Sequence, residues 1–428
     1  MRTGFPSNKT GGCGLTEEGQ RTSDDAPGRG KRDDDDRLAT MRAAARTTSS
    51  SSMHAIASPL VVALLAAAAL LLLAPARTLA SRVCEHGYLP PVNFANVQTH
   101  KVNEASGIVS SVANDNILWT HEDSGKHARI YGISLKSSPP GEIVARIDLN
   151  AYTSKHKQGP DFEDIALSRC PHTEGYCLWM GDIGDNCARL QSNGQPWSYD
   201  CGGRFYLMAV PEPAITDHDD VLKVKAKNVF EVELEYPNSG RYPNIPMDSE
   251  AMVVSPEGDK AWLIEKRHGL HWDYHNTPAR IFATSQNLTR VPSGAKIGLR
   301  MENTINNPNG WKITGADLHP TGRELLVRTG DDGGTYMYTF DRPFDFTSIK
   351  MDGKVAENSL HQPQPEAVAY DFTKADPEQY GKAFWHISEQ GEGYQPLEYV
   401  KCKDNAQDSE QFEVRDLNYP YRSTPYQG

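Results

Sequence analysis

Several signatures are missing from this sequence, and each absence removes a class of function. No Cys-x-x-Cys pair occurs among the seven cysteines, so structural zinc lacks its usual ligand spacing. Neither Gly-x-Ser-x-Gly nor a Gly-rich loop ending in Lys-Ser/Thr is present, which removes the main signals of a serine hydrolase and of a nucleotide-binding fold. There is no stripe of clustered Lys and Arg. A polyanion needs such a stripe for counterion release, so no nucleic-acid partner is expected. Long stretches of helical periodicity are scarce as well.

What is present points to strands. The 428 residues are 38% hydrophobic and 9% aromatic, with 35 Gly and 28 Pro, a composition that favours many short strands joined by turns. From Leu60 to Ala74 runs a Leu/Ala/Val segment, followed by Pro75 and by Thr78-Leu79-Ala80 ahead of Ser81. This is the layout of a signal peptide, short for a bilayer span of about 20 apolar residues. Three segments are expected: residues 1–52 as a disordered leader or an artefact of the chosen start codon, 53–80 as the signal peptide, and 81–428 as one domain. The protein is then secreted, and membrane-bound only if the segment stays uncleaved as a signal anchor. Of 44 Lys/Arg and 56 Asp/Glu, 10 and 8 lie in residues 1–80, leaving 34 against 48 and a net charge of −14 for the exported chain. That acidity suits divalent cations, cationic ligands or plain solubility.

Six cysteines follow the leader, an even number in an exported chain, and a disulfide framework is the expectation. Spacing alone leaves the connectivity open. Proximity suggests Cys170 with Cys177 and Cys187 with Cys201, and leaves Cys84 with Cys402 to join the two ends of the domain. Asn287-Leu-Thr is an N-glycosylation acceptor on what reads as an exposed loop.

The chain repeats itself. Segments starting at Glu104, Phe162, Ser249, Ile313 and Pro365 each form a small-residue and apolar strand. A second strand follows at Ile117, Cys177, Lys260, Glu324 and Lys382, and a third at Ala128, Arg204, Ala279, Thr335 and Leu397. Fourth strands fit Glu142 to Leu149, Val229 to Tyr236 and Lys296 to Met301. A repeated unit of four short antiparallel strands predicts an all-β chain, a β-propeller with five blades, or six as the alternative. The closing strand comes either from Phe412 to Leu417 or from the segment near Val92 to Val102. Asp161-Phe-Glu-Asp-Ile-Ala, Gly181-Asp-Ile-Gly-Asp-Asn and Val210-Pro-Glu-Pro, with Leu118-Trp-Thr-His-Glu-Asp-Ser-Gly and Asp248-Ser-Glu-Ala, resemble a group of secreted proteins of the WD40-like and NHL-like propeller superfamily. The resemblance spans nearly all of the exported chain. It implies a fold and export but no reaction, and the Cys187 to Cys201 insertion departs from the group's pattern.

In a blade the start of the innermost strand shares a face with the end of the next, because neighbours are antiparallel. Glu163, Glu250 and Glu366 then begin three inner strands, with Ser106 and Thr314 at the matching places. Two residues earlier stand Glu104, Asp161 and Asp248, with Lys312 and Gln364 in the other units. Second strands bring His121 and Asp123, Asp182, Lys266 with Arg267 and His268, Arg328, and Glu389 toward the same mouth. Carboxylates in this number suit calcium better than zinc, with Glu104, Asp161, Glu163, Asp182, Asp248, Glu250 and Glu366 as candidate ligands. The plainer reading makes the repeated Glu a strand-initial hydrogen-bond acceptor and the Asp/Gly tracts ordinary turns.

Three functions are compatible with this pattern. The first is a calcium-assisted hydrolase of an anionic or phosphorylated small substrate. Glu163, Glu250 and Glu366 would act as bases or ligands, His121 or His268 as proton shuttles, and Lys266, Arg267 and Arg328 as anion holders. The second is a non-catalytic module for a glycan or protein ligand, and the third a structural scaffold. A monomer is expected.

Overall fold

The alternation of small, apolar residues in the repeated segments produces strands at the places it predicts. A computed structural model describes residues 82–98, 102–123, 128–149, 160–184, 204–215, 222–223, 229–237, 248–266, 278–306, 311–330, 333–358, 363–391 and 395–404, all within the unit Thr78–Gly428. The leader, the signal segment, Cys187, Cys201, Arg267 and His268 lie outside them. Among the described residues no helix is long and apolar enough to cross a membrane.

A strand β1 (Val92–Asn96) precedes five meanders. The first is β2 (Ala105–Ser110), β3 (Ile117–Glu122), β4 (Arg129–Ser134) and β5 (Glu142–Asp148). The second is β6 (Phe162–Arg169), β7 (Tyr176–Asp182), β8 (Phe205–Pro211) and, after a two-residue β9 (Leu222–Lys223), β10 (Phe230–Glu235). The third is β11 (Ser249–Val254), β12 (Ala261–Glu265), β13 (Ala279–Thr284) and β14 (Ala295–Ile305), and the fourth is β15 (Ile313–Leu318), β16 (Glu324–Thr329), β17 (Gly334–Thr339) and β18 (Lys350–Ala356). The fifth is β19 (Pro365–Tyr370), β20 (Phe384–Ser388) and β21 (Pro396–Val400), and β1 pairs with β21 to complete it.

The hydrogen bonding corrects one expectation. Five separate four-stranded blades are not formed; the sheets have four, eight, four and five strands. The eight-stranded sheet arises because β10 and β14, the outer strands of the second and third meanders, pair in parallel from Val232 opposite Ala295 to Glu235 opposite Gly298. The fifth strand of the last sheet is β9, added in parallel to β5. Both additions satisfy outer-edge N–H and C=O groups that would otherwise face other chains. β18 was not anticipated, since Lys-Met-Asp-Gly-Lys-Val-Ala is an exposed edge strand without apolar alternation.

Of the two candidates for the closing strand, the early segment closes the fifth meander. The disulfide Cys84–Cys402 ties the same two ends across 318 residues, and Cys170–Cys177 closes a short hairpin. Closing so long a loop removes much conformational freedom from the unfolded chain.

Five apolar cores lie between successive meanders. Trp119, Trp179, Trp262 and Trp385 occupy one register position in the second strands and are buried, and Leu326 takes that place in the fourth meander. Each of these side chains packs toward the following meander. The first strands also pack in sequence, β2 on β6, β6 on β11, β11 on β15 and β15 on β19, and β19 returns to β2.

Candidate metal centre

Every first strand carries an irregularity at the same place. Its register against the second strand shifts at Ser106-Gly107, Glu163, Glu250, Thr314 and Glu366. A bulge inserts an unpaired residue and re-aims its side chain. The repeated Glu is therefore set off the ladder by backbone geometry, at a position where a regular strand would alternate.

Backbone hydrogen bonds fix two further tiers. The N–H of Asp123 donates to the Glu104 carbonyl at 2.8 Å, that of Ile183 to Asp161 at 3.2 Å, that of Lys266 to Asp248 at 3.0 Å, that of Gly330 to Lys312 at 2.8 Å and that of Glu389 to Gln364 at 3.0 Å. The same second-strand ends accept from the next meander: Asp123 from Phe162 at 3.3 Å, Ile183 from Ser249 at 3.3 Å and Lys266 from Ile313 at 2.9 Å. Residues distant in sequence are thus stitched into one belt. Among the described residues the fourth meander contributes Thr314, Lys312 and Gly330 to this belt, and the described acids stand in the other meanders.

Two carboxylate groups result. Asp123, Asp161 and Glu163 offer oxygens all within 4.8 Å of one another, and so do Glu163, Asp248 and Glu250. Glu163 belongs to both. Glu163 and Glu250 are buried, while Asp123, Asp161 and Asp248 are half-buried. Gly184 makes room for the first group, because a Cβ there would meet Glu163 Oε1 and Asp161 Oδ2. Asp182 is buried and accepts from the Asp161 N–H at 2.8 Å, so it holds the backbone of the group without joining it. Glu104 is exposed at the rim, where its charge bears on Asp123.

Among the described residues Lys266 supplies a positive charge to this set. Its Nζ forms an ion pair with Glu250 Oε1, and both side chains are buried. Glu250 Oε2, Asp123 Oδ1 and Thr314 Oγ1 are buried atoms without a hydrogen-bond partner among the described residues. Burial, then the Asp161 and Glu389 charges, push the Asp123 carboxyl up to about 7. Burial pushes Glu366 up to about 8, with Glu389 adding to the rise and a Gln364 hydrogen bond opposing it. Glu163 is raised well above the ordinary range by burial and then by Asp123, Asp161 and Asp248. Without a cation the fold therefore favours the protonated carboxyls, and a bound cation would have to displace those protons.

The remaining sequence candidates lie elsewhere. His121 is fully buried between the first and second meanders, edge-on to Phe162, with Nδ1 donating to the Glu122 carbonyl at 2.9 Å. Burial lowers it to about 4, so it is neutral. Arg328 is fully buried between the fourth and fifth meanders, where Nη1 donates to Thr335 Oγ1 at 3.1 Å and lies 2.9 Å from His386. Neither side chain reaches solvent, because each stands two residues beyond the buried Trp119 or Leu326 on the same strand face. Asn287 is half-buried, its Oδ1 accepting from the Thr289 N–H at 2.9 Å and from Thr289 Oγ1 at 2.6 Å.

Two acids that sequence reading passed over have clear duties. Asp164, next to Glu163, accepts from the N–H of Ile165 at 2.9 Å, Met252 at 2.8 Å and Ala316 at 3.3 Å, and so clamps β6 to β11 and β15. Asp317 accepts from the Tyr370 N–H at 2.8 Å and ties β15 to β19. The signal was available: each is an acid in the interior of an otherwise apolar inner strand, where an unpaired carboxylate would be costly.

No protein-family model matches the chain, and no curated protein matches it. Among solved structures it is similar to a candidate 6-phosphogluconolactonase from Bacteroides uniformis, at 11% identity over 69% of this chain and 71% of that one, with a TM-score of 0.31. It is also similar to a chain of a mitotic checkpoint complex, at 11% identity over 69% of this chain and 61% of that one, with a TM-score of 0.30. At such scores neither likeness bears on function.

Proposed function

We propose that the five meanders form the blades of a β-propeller, the second and third joined by an outer seam, and that the belt of acids is a divalent-cation site at one mouth of its channel. Calcium is the ion that a set of carboxylate oxygens suits best. The observation that carries this reading is Glu163, shared by two groups of converging carboxylates beside a buried Glu250 oxygen that lacks a hydrogen-bond partner among the described residues. A bound ion would present its open coordination positions to an anionic small molecule or glycan of the extracellular space. Of the three acids read as bases or ligands, Glu163 and Glu250 then take the second role.

A catalytic form of this reading rests on Glu366, which stands outside both carboxylate groups and whose carboxyl burial pushes up to about 8, so that it can exchange protons with a substrate as metal-assisted hydrolysis requires. The site is tested by isothermal titration with calcium and by thermal melts with calcium and with chelator. Calcium is expected to bind and to raise the melting temperature, and Glu163→Gln to abolish both effects. A chain indifferent to calcium and chelator removes the proposal. A panel of phosphoesters, esters and glycosides then separates turnover from binding alone.

A further inference from the structure

Lys266 and the group of Glu163, Asp248 and Glu250 are built on each other. The Lys266 N–H donates to the Asp248 carbonyl at 3.0 Å, its carbonyl accepts from the Ile313 N–H at 2.9 Å, and its Nζ is ion-paired with Glu250 Oε1. The backbone is thereby pinned, while the side chain is a flexible four-carbon stem, 10% exposed, whose head group water solvates strongly. The ammonium also leaves oxygens over. Glu250 Oε2 and Thr314 Oγ1 are buried and have no hydrogen-bond partner among the described residues. Thr314 stands at the bulge of β15 as Glu250 stands at that of β11, one residue after the Ile313 that bonds Lys266. A carboxylate oxygen and a hydroxyl are oxygen donors of the hard kind that calcium takes.

Resting on the cation-site reading above, we infer that Lys266 is a tethered competitor for this group: a divalent ion held by Glu163, Asp248 and Glu250 expels the ammonium from Glu250, so that Lys266 is available to an anionic ligand only while the ion is bound. Both cations need the same oxygens, since the three carboxylates offer oxygens all within 4.8 Å of one another and Nζ sits on one of these side chains. Charge decides which one stays. At equal distance a divalent ion gains twice what an ammonium gains from each carboxylate, and the two cations repel each other at close range with little water between them. The ion's six or more coordination positions also take in Glu250 Oε2, which the ammonium leaves without a partner. Once expelled, the ammonium stays at the mouth, because its backbone remains fixed, and it meets a ligand's negative charge as a point charge that needs no set geometry. Binding is then ordered, calcium before the anion.

The test follows the ammonium. Wild-type protein is treated at one pH with an amine-acetylating reagent, in calcium and in chelator, and modification of each lysine is read by peptide mass spectrometry. Lys266 is expected to react several-fold faster in calcium, with the exposed Lys350 unchanged. Calcium titrations complete it: Lys266→Met should bind calcium at least about tenfold more tightly than wild type, Lys266→Arg, which keeps the charge, should not, and Glu250→Gln should bind it at least about tenfold more weakly. Lys266 reacting no faster in calcium, in protein whose titration shows the ion bound, overturns the inference and leaves the cation site standing. Unchanged affinity in a folded Lys266→Met or in Glu250→Gln does the same. Absence of calcium from the wild type overturns both. Should Lys266→Met not fold, as melts in chelator would show, the wild-type labelling and Glu250→Gln decide the matter.

Discussion

The acidic mouth and the buried polar set between the fourth and fifth meanders use similar residues to opposite ends. In the buried set, Arg328, Thr335, His386 and Glu398 are each almost wholly removed from solvent. Thr335 Oγ1 and His386 Nε2 are 2.8 Å apart, His386 Nδ1 is 3.6 Å from Glu398, and the guanidinium sits beside them under the charge of Glu398 and Glu366. Burial lowers Arg328 to about 10 and His386 to about 3, so a charged guanidinium faces a neutral imidazole. These four side chains continue the apolar faces of Leu326, Met337, Phe384 and Val400, each two residues along its strand. Among the described residues of the mouth, acids outnumber donors, and buried oxygens are left without partners. The buried set holds a guanidinium against its carboxylates inside the fold, whereas among the described residues the mouth gathers several carboxylates around Lys266.

The largest expected effect comes from breaking the balanced set. Arg328→Ala leaves Glu398 and Glu366 buried without their cation and should cost about 3–5 kcal/mol in urea unfolding, the penalty of an orphaned buried charge. Calcium should not restore it, and restoration by calcium would erase the distinction between the regions. Glu163→Gln should do the reverse. It relieves repulsion and raises the melting temperature of the chelated protein, and it weakens calcium by at least about tenfold, or about 1.4 kcal/mol.

Acidity sharpens the same contrast. The carboxyls of Asp123 and Glu366 titrate in the fold at about 7 and about 8, above their unfolded values, and Glu163 is raised too. At these groups folding takes up protons, so the stability they contribute to the metal-free chain is fully present in acid and is lost as pH rises through about 7 and about 8, while the lowered His121 and His386 act in the opposite sense below the ordinary histidine range. A cation must displace those protons, so calcium affinity should rise over that window, which titrations at pH 5.5, 7 and 8.5 would measure. Saturating calcium should flatten the fall in melting temperature. The smallest effect belongs to Gly184→Ala, whose new methyl meets only the ends of Glu163 and Asp161. Those tips can swing aside. Stability should change by less than about 1 kcal/mol, with calcium affinity down a few-fold.

Much of the strand order was readable because each repeat carries the same small-residue first strand and Trp-centred second strand, and burying both faces demands that pattern. The alignment of Glu163, Glu250 and Glu366 was readable for the same reason. The bulges were not, since nothing in Ser-Glu-Ala or Pro-Glu-Ala distinguishes a residue within the ladder from one set off it. Arg328 and His121 were misjudged in depth because a strand's last residues look alike whether they end inside a core or beyond it. The parallel seam between β10 and β14 joins strands more than 60 residues apart and leaves no local mark.

By itself the sequence determined the repetition and the acidity, because strand alternation and composition are local properties, while it only suggested the pairing of Cys170 with Cys177 and of Cys84 with Cys402 that the fold makes. The tertiary structure alone decided which acids meet. A bulge and a belt of backbone hydrogen bonds, repeated around a closed succession of strands, bring Asp123, Glu163 and Glu250 together from three meanders. Carboxylates cannot gather themselves, since they repel, and only a backbone held by other forces can set them so close.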